Sequence, residues 1–327
     1  MKTIKKLSIL IIIFCTLSCS NDNSSNEDET KATVKDIYVC GYEKRSNNGK
    51  LIATVWKNGV ITSLTDGTND AVAKDVAVSG NDVYVVGYEE DSNGNQVARF
   101  WKNGVPVKLV DTPGSVANLI TVSGNDVFII GRVSENNTYV RKIWKNGVAS
   151  VSQGDILSIK IKNNDIYTVG IENEDAKVWK NAVATSLTKG NTYSAAYDVE
   201  IKGNDVYVVG VEMVGNISVA RLWKNGAIVI NLTDGKFYSG ANAISISDND
   251  IYVSGYEENS KYTSKIWKNG EVIWTKENLI TVDLKVVGQD IYLLSNSDGA
   301  KILKNGLPEN LSSALRSNAN ALFITTN

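Results

Sequence analysis

The sequence predicts an all-β fold: a seven-bladed β-propeller of four-stranded antiparallel blades, with the ring closed by the C-terminal strand joining the N-terminal blade. Three observations predict it. An aspartate recurs at positions 36, 82, 126, 165, 205, 250 and 290, at spacings of 46, 44, 39, 40, 45 and 40 residues. A period of roughly 40–45 residues belongs to propeller blades or solenoids. Each period is written in strand and tight-turn residues. The C-terminal segment matches a blade element that the N-terminal unit lacks.

The first element precedes the fold. Lys2, Lys5 and Lys6 lead into an apolar run from Leu7 to Leu17, then Ser18-Cys19. A basic start, a short apolar segment and a small residue make residues 1–18 a secretory signal, too short to span a bilayer. Thr16-Leu17-Ser18-Cys19 resembles a bacterial lipobox, which implies lipidation of Cys19; Thr16 stands where that motif usually carries Leu. The alternative is a plain cleaved signal. Residues 19–33 read as a flexible acidic tether, because Asn21–Thr30 (NDNSSNEDET) is polar with no apolar period. An acidic patch after the lipid cysteine resembles the surface-export signal of some Gram-negative bacteria. It implies a lipid-anchored protein of the outer membrane and cell surface, a periplasm-facing anchor being the other reading.

Of the three cysteines, Cys15 lies in the signal and Cys19 is assigned to lipid. Cys40 remains alone, so no disulfide framework is expected. Without the signal's three lysines, 31 basic residues face 36 acidic ones, a net charge near −5 that argues against a nucleic-acid partner.

The propeller is assigned to residues 34–327. Its unit is clearest at 76–109, VAVSGNDVYVVGYEEDSNGNQVARFWKNGVPVKL, which gives four strands: VAVS (a), DVYVVGY (b), ARFW (c) and VPVKL (d). Ser-Gly-Asn-Asp turns a into b, and Asn-Gly, the favoured two-residue hairpin pair, turns c into d. Only Asn181-Ala182 departs from Asn-Gly, and alanine's poor tolerance of positive φ predicts a looser turn there. Strand b is apolar at consecutive positions such as Tyr84, Val85 and Val86, so both sheet faces are covered, as between neighbouring blades. The N-terminal unit enters at strand b (Lys35-Asp36-Ile37-Tyr38), and Ala319–Thr325 matches the a strand Ala241–Ser247. The last segment therefore supplies the first blade's inner strand, whereas a solenoid would need caps. On these repeats the chain resembles repeat-propeller lipoproteins built on a WKNG motif, over nearly the whole mature length. The resemblance implies fold and surface location and supplies no functional residues.

The tryptophans at 56, 101, 144, 179, 223 and 267, with Leu303 in the seventh unit, repeat at one structural position. They read as wedges between blades rather than as binding sites. The repeated aspartate reads as a turn residue accepting backbone N–H bonds. Glu43, Glu89, Glu172, Glu212 and Glu257 share a position two after the strand-b glycine, and Lys or Arg stands two before the tryptophan position in six units. Hairpin counting places Tyr88 opposite Arg99 and Tyr256 opposite Lys265, predicting cross-strand cation–aromatic contacts. Cys40 matches Val86 and is predicted to be a buried thiol.

The chain contains no histidine, which removes His-based triads, His proton shuttles and the usual zinc sites. No phosphate-cradling glycine loop is present, and six scattered arginines do not make a sialidase cluster. No cofactor and no metal are called for. Asp198 and Glu200 share an inner strand, and Asp75, Asp198 and Asp283 align between blades, so paired-acid hydrolysis stays open.

The a–b and c–d turns are short and share one face of the disc. The b–c and d–a connections share the other and vary from unit to unit, which makes that the recognition face. Where strand a enters the central channel, the residues two before its first repeated apolar position are Lys74, Asn118, Leu157, Tyr197, Asn242, Val282 and Asn320, followed by a ring holding Asp75, Ser158, Asp198 and Asp283. Their variation suits an asymmetric ligand, with Tyr197 stacking while Asn242, Asn320 and Asp198 hydrogen-bond. The expected function is a surface-anchored binding propeller engaging a glycan, peptide or partner protein. The alternative is a carboxylate-dependent polysaccharide hydrolase or lyase, and solvated channel lining is the reading that gives these residues no ligand.

Overall fold

The computed structural model describes residues 32–327 apart from Lys189 and Asn191. The signal, most of the tether and Cys19 lie outside the described residues. Among the described residues there are seven four-stranded antiparallel sheets and no helix. Blade 2 shows the order: a (Ala71–Ser79), b (Asp82–Glu90), c (Gln96–Lys102) and d (Val105–Val107). Strand a of blade 1 is Arg316–Thr326, which pairs antiparallel with strand b, Val34–Lys44, through partners such as Ile37 with Ile324 and Gly41 with Ala319. The ring is closed as the repeat predicts.

The WKNG phrase is explained residue by residue. Its tryptophans are at most 3% exposed and pack against the preceding blade. Trp101 joins Tyr38, Ala53 and Val55 of blade 1, and Trp223 joins Val169 and Ala176 of blade 4. The indole N–H groups of Trp56, Trp179 and Trp223 are buried without a partner, so these rings serve packing and make no hydrogen bond. The lysine that follows lies over the strand-b aromatic directly across the ladder in all seven blades; Lys102 sits 5.3 Å from the Tyr84 ring centre. The same lysine ion-pairs with the repeated aspartate, as Lys102 does with Asp82 at 2.7 Å. The turn asparagine donates its amide to that aspartate (Asn103 Nδ2 to Asp82 Oδ1, 2.8 Å) and accepts the Val83 N–H at 2.8 Å. The aspartate thus takes its bonds from Lys and Asn side chains, not from the backbone. Hydrogen bonds from Lys102 and then Asn103 hold the Asp82 carboxyl below its ordinary range.

Two local expectations are corrected. Arg99 lies opposite Gly87, and Lys265 opposite Gly255, one position away from the tyrosines. Facing a glycine, each cation reaches along the same sheet face to the glutamate two residues on: Arg99 to Glu89 at 2.9 Å and Lys265 to Glu257 at 2.7 Å. The Asn181-Ala182 turn is not looser. Asn181 (φ 50°) and Ala182 (φ 67°) keep the conformation of the six Asn-Gly pairs, and Asn181 still accepts the Ile166 N–H at 2.9 Å. The cross-strand bonds of Asn181 to Ile166 and Asp165 within blade 4 hold alanine in the left-handed region, at a cost of roughly 1 kcal/mol.

Every inner strand carries a β-bulge at one equivalent residue: Lys74, Asn118, Leu157, Tyr197, Asn242, Val282 and Asn320. The strand-b glycine is what admits it. A Cβ on Gly87 would lie 1.9 Å from the Val72 carbonyl oxygen, and the equivalent clash is 1.8–2.1 Å at Gly41, Gly131, Gly170, Gly210 and Gly255. Blade 7 carries Ser295 there, and its a–b ladder stops at the Thr281–Ser295 pair while the others run on. Asn296 takes over, its side chain bonding both Ala319 N (2.7 Å) and Ala319 O (2.8 Å) of blade 1.

Candidate functional site

A bulge places two consecutive side chains on the same side of a strand, so each inner strand aims a pair of residues at the channel. Six of the seven bulge residues, with Asp75, Ser158, Asp198 and Asp283, line one central cavity of about 240 Å³. Seven of the eight proposed ligand residues are therefore brought together: Lys74, Asp75, Tyr197, Asp198, Asn242, Asp283 and Asn320. The eighth, Asn118, is exposed and lines a separate cavity between blades 3 and 4.

The three aspartates share one pattern. Asp75 accepts the Val76 N–H and, from blade 3, the Ile120 N–H, both at 2.8 Å. Asp198 accepts the Val199 N–H (2.9 Å), the Ser158 hydroxyl of blade 4 (2.7 Å) and the Ile244 N–H of blade 6 (3.0 Å). Asp283 accepts the Leu284 N–H (2.7 Å), Lys285 Nζ (2.9 Å) and the Leu322 N–H of blade 1 (3.0 Å). Each carboxylate ties its own strand to the next blade. Asn320 does the same with a different group, donating to the Ala73 carbonyl of blade 2 at 2.7 Å. These four side chains staple the inner wall, a role that chain spacing alone did not reveal.

Electrostatics follow from that wall. Burial pushes the Asp75 carboxyl up to about 7 against the pull of the Ile120 and Val76 N–H groups. Burial also raises Asp198, while Lys285 and Lys160 oppose the rise. Lys285 is raised by Asp283 and Asp198 against its own desolvation, whereas burial lowers Lys74, which lies 5.8 Å from the Tyr88 ring centre. Glu200, the partner considered for Asp198, is occupied by Lys160 at 2.9 Å and by the Ile201 N–H at 3.2 Å.

Besides Lys74 of blade 2, which has no ion-pair or hydrogen-bond partner among the described residues, what the wall leaves uncommitted lies over blades 5 and 6. Asn242 has no hydrogen-bond partner among the described residues. Tyr197 is pushed up to about 12 by burial, with the Tyr193 and Tyr256 side chains beside it. Tyr256 stacks on Tyr262 with ring centres 5.0 Å apart and planes 16° apart. Tyr193 lies in the d–a connection before blade 5, and Tyr256 and Tyr262 lie on strands b and c of blade 6 near their shared turn; of the four, only Tyr197 was read from the sequence as a ligand residue. The missed signal is a recurrence of tyrosine in two adjacent units. Among the described residues no cluster of three or more Asp, Glu or Cys side chains is placed to hold a metal ion.

No family model matches the chain, and no curated protein matches it. Solved structures do. A puromycin-hydrolysing peptidase from Mycobacterium tuberculosis is similar at 12% identity with a TM-score of 0.60, over 86% of this chain and 52% of that one. The chain thus spans about half of that peptidase. The WD40 β-propeller domain of Doa1 is similar at 12% identity and TM-score 0.47, over 80% of this chain and 94% of that one. The β-propeller domain of the trilobed protease from Pyrococcus furiosus is similar at 12% identity and TM-score 0.43, over 75% and 99% of the two chains. The likeness is one of fold: this chain is a seven-bladed β-propeller.

Proposed function

We propose that this propeller is a surface-anchored binding protein whose ligand is a carbohydrate taken at the channel mouth over blades 5 and 6. The observation that carries the reading is the tyrosine bank of Tyr193, Tyr197, Tyr256 and Tyr262 beside the uncommitted amide of Asn242. Aromatic faces with a few convergent polar groups suit the apolar face and hydroxyl edge of a sugar ring. Anchoring through lipidated Cys19 belongs to the same proposal, with residues 19–33 as the tether. Cys19→Ala then releases the protein from membranes, and persistent membrane fractionation of that variant in detergent-free lysate counts against the anchor.

The second reading is hydrolysis by inner-wall acids, favoured by the raised carboxyl of Asp75. Against it, both Asp75 oxygens and both Asp198 oxygens already accept structural bonds. One experiment separates the readings: titrate purified protein with a panel of oligosaccharides, then assay the same mixtures for released product. Binding without product, abolished by Tyr197→Ala combined with Asn242→Ala at a melting temperature lowered by only a few degrees, supports the binding protein. Product release supports the hydrolase. Binding that survives the double change, but falls when the Asn-Gly turn face is altered, refutes the choice of face.

A further inference from the structure

The seam between blades 3 and 4 breaks the rules kept by the other six. Each of the others is filled by a leucine from the connection after strand d: Leu64, Leu109, Leu187, Leu232, Leu279 and Leu311. Here Ser152 occupies that register, its N–H bonded to the Arg141 carbonyl as Leu64 is to Ala53 and Leu187 to Ala176. Three residues before the WKNG tryptophan on its own strand c (before Leu303 in blade 7), the other blades carry Ala53, Ala98, Ala176, Ala220, Ser264 or Ala300; blade 3 carries Arg141. Among the described residues this seam has no inner-wall hydrogen bond, whereas its six counterparts each have one. A single polar contact crosses it, from Arg141 to Asp155.

What replaces the missing packing is two adjoining cavities, of about 160 and 420 Å³, that share Ser152 and Ile156 in their walls. The smaller is polar, with Arg132, Arg141, Asp155, Tyr139 and Asn118 around it. The larger is lined by apolar side chains including Phe128, Ile143, Ile166 and Trp179. Arg132 and Arg141 stand directly opposite each other on adjacent strands, an arrangement of like charges that destabilises a sheet. Asp155 offsets only one of them. Arg132 lies 4.5 Å from the Tyr139 ring centre, and its other contact is 3.4 Å to Gln96; its Nε is buried with no partner. An unpaired guanidinium N–H in a cleft costs free energy until an acceptor arrives.

We infer that this seam is a second ligand site, taking a monocarboxylate carried on an apolar or aromatic body. The carboxylate neutralises the one uncompensated charge by bonding Arg132, and the apolar body enters the volume that a leucine fills in the other seams. A free aryl acid and the C-terminus of a peptide ending in a large apolar residue share this chemistry.

The test is isothermal titration of the full chain with 3-phenylpropionate and with N-acetylphenylalanine, the corresponding amides serving as neutral controls, while the Trp179 indole N–H is followed by NMR. The expected result is binding by at least one acid, no binding by its amide, and a shift of the Trp179 signal. Binding by both acids points to free aryl acids and peptide ends alike, and binding by N-acetylphenylalanine alone points to peptide C-termini. Arg132→Gln weakens binding at least tenfold, Asp155→Asn tightens it severalfold by removing the competing carboxylate, and Ser152→Leu abolishes it while raising the unfolding temperature. Should Ser152→Leu fail to fold, Arg132→Gln and Asp155→Asn decide. Neither acid binding at millimolar concentration, amides binding as well as acids, or affinity unchanged by Arg132→Gln overturns the inference.

Discussion

Replacing Asp198 by asparagine tests whether the inner-wall acids are staples or chemistry. Three donors converge on this carboxylate, from blades 4, 5 and 6: the Ser158 hydroxyl, the Val199 N–H and the Ile244 N–H, at 2.7, 2.9 and 3.0 Å. An amide offers one oxygen, enough for the two donors that meet Oδ1. Its NH2 group then faces the Ile244 N–H, donor against donor. One buried N–H left without an acceptor costs about 1–3 kcal/mol. Asp198→Ala strands both N–H groups, since the serine hydroxyl can turn to channel water, so the expected loss is about 2–6 kcal/mol. Denaturant unfolding followed by tryptophan fluorescence measures both, with the order wild type, Asn, Ala in falling midpoint. If Asp198→Asn unfolds at the wild-type midpoint yet loses ligand binding or product release, the staple reasoning is wrong and the carboxylate serves the ligand.

Three further outcomes follow from the same geometry. Ala182→Gly relieves an L-residue held at φ 67° and raises stability by about 1 kcal/mol, read as a higher denaturation midpoint; an unchanged or lower midpoint removes the strain argument. Deleting Ser317–Asn327 exposes the inner edge of strand b in blade 1, so the truncated chain aggregates, and a soluble monomer of undiminished heat stability contradicts closure by that strand. The folded-state carboxyl of Asp75 is raised from 3.8 to about 7. Its contribution is complete below the unfolded value and lost as pH climbs towards 7, while the lowered surface aspartates such as Asp82 and Asp250 lose theirs below the unfolded value. Asp75 therefore makes stability fall as pH climbs from the unfolded value towards 7, and Asp75→Asn flattens that decline; a wild-type and an Asp75→Asn profile of equal slope over this range oppose it.

The repeat made blade number, strand order and ring closure legible, because one strand pattern had to serve seven times. Counting from the repeated apolar positions also found the bulge residues, although the bulge itself was invisible. Side-chain destinations were not legible. Asp75, Asp198 and Asp283 are chemically open acids in the sequence, and only the next blade's position shows their oxygens occupied. The cation–aromatic pairs were misplaced by one residue because the register of the b–c hairpins had to be counted through variable loops. The blade 3–4 seam did leave a trace. Arg141 where the other units carry Ala or Ser, and Ser152 where they carry Leu, are both departures from a small or apolar rule.

Closure by the C-terminal strand fixes an order of events. Asp36 bonds Thr325 across a separation of 289 residues, so the first strand b synthesised waits for the last strand of the propeller. Until then its inner edge is an unpaired template, and native contacts of such long sequence separation form slowly. The propeller therefore gains its final cooperative contacts in one late step, and chains cut short at any earlier point never reach it.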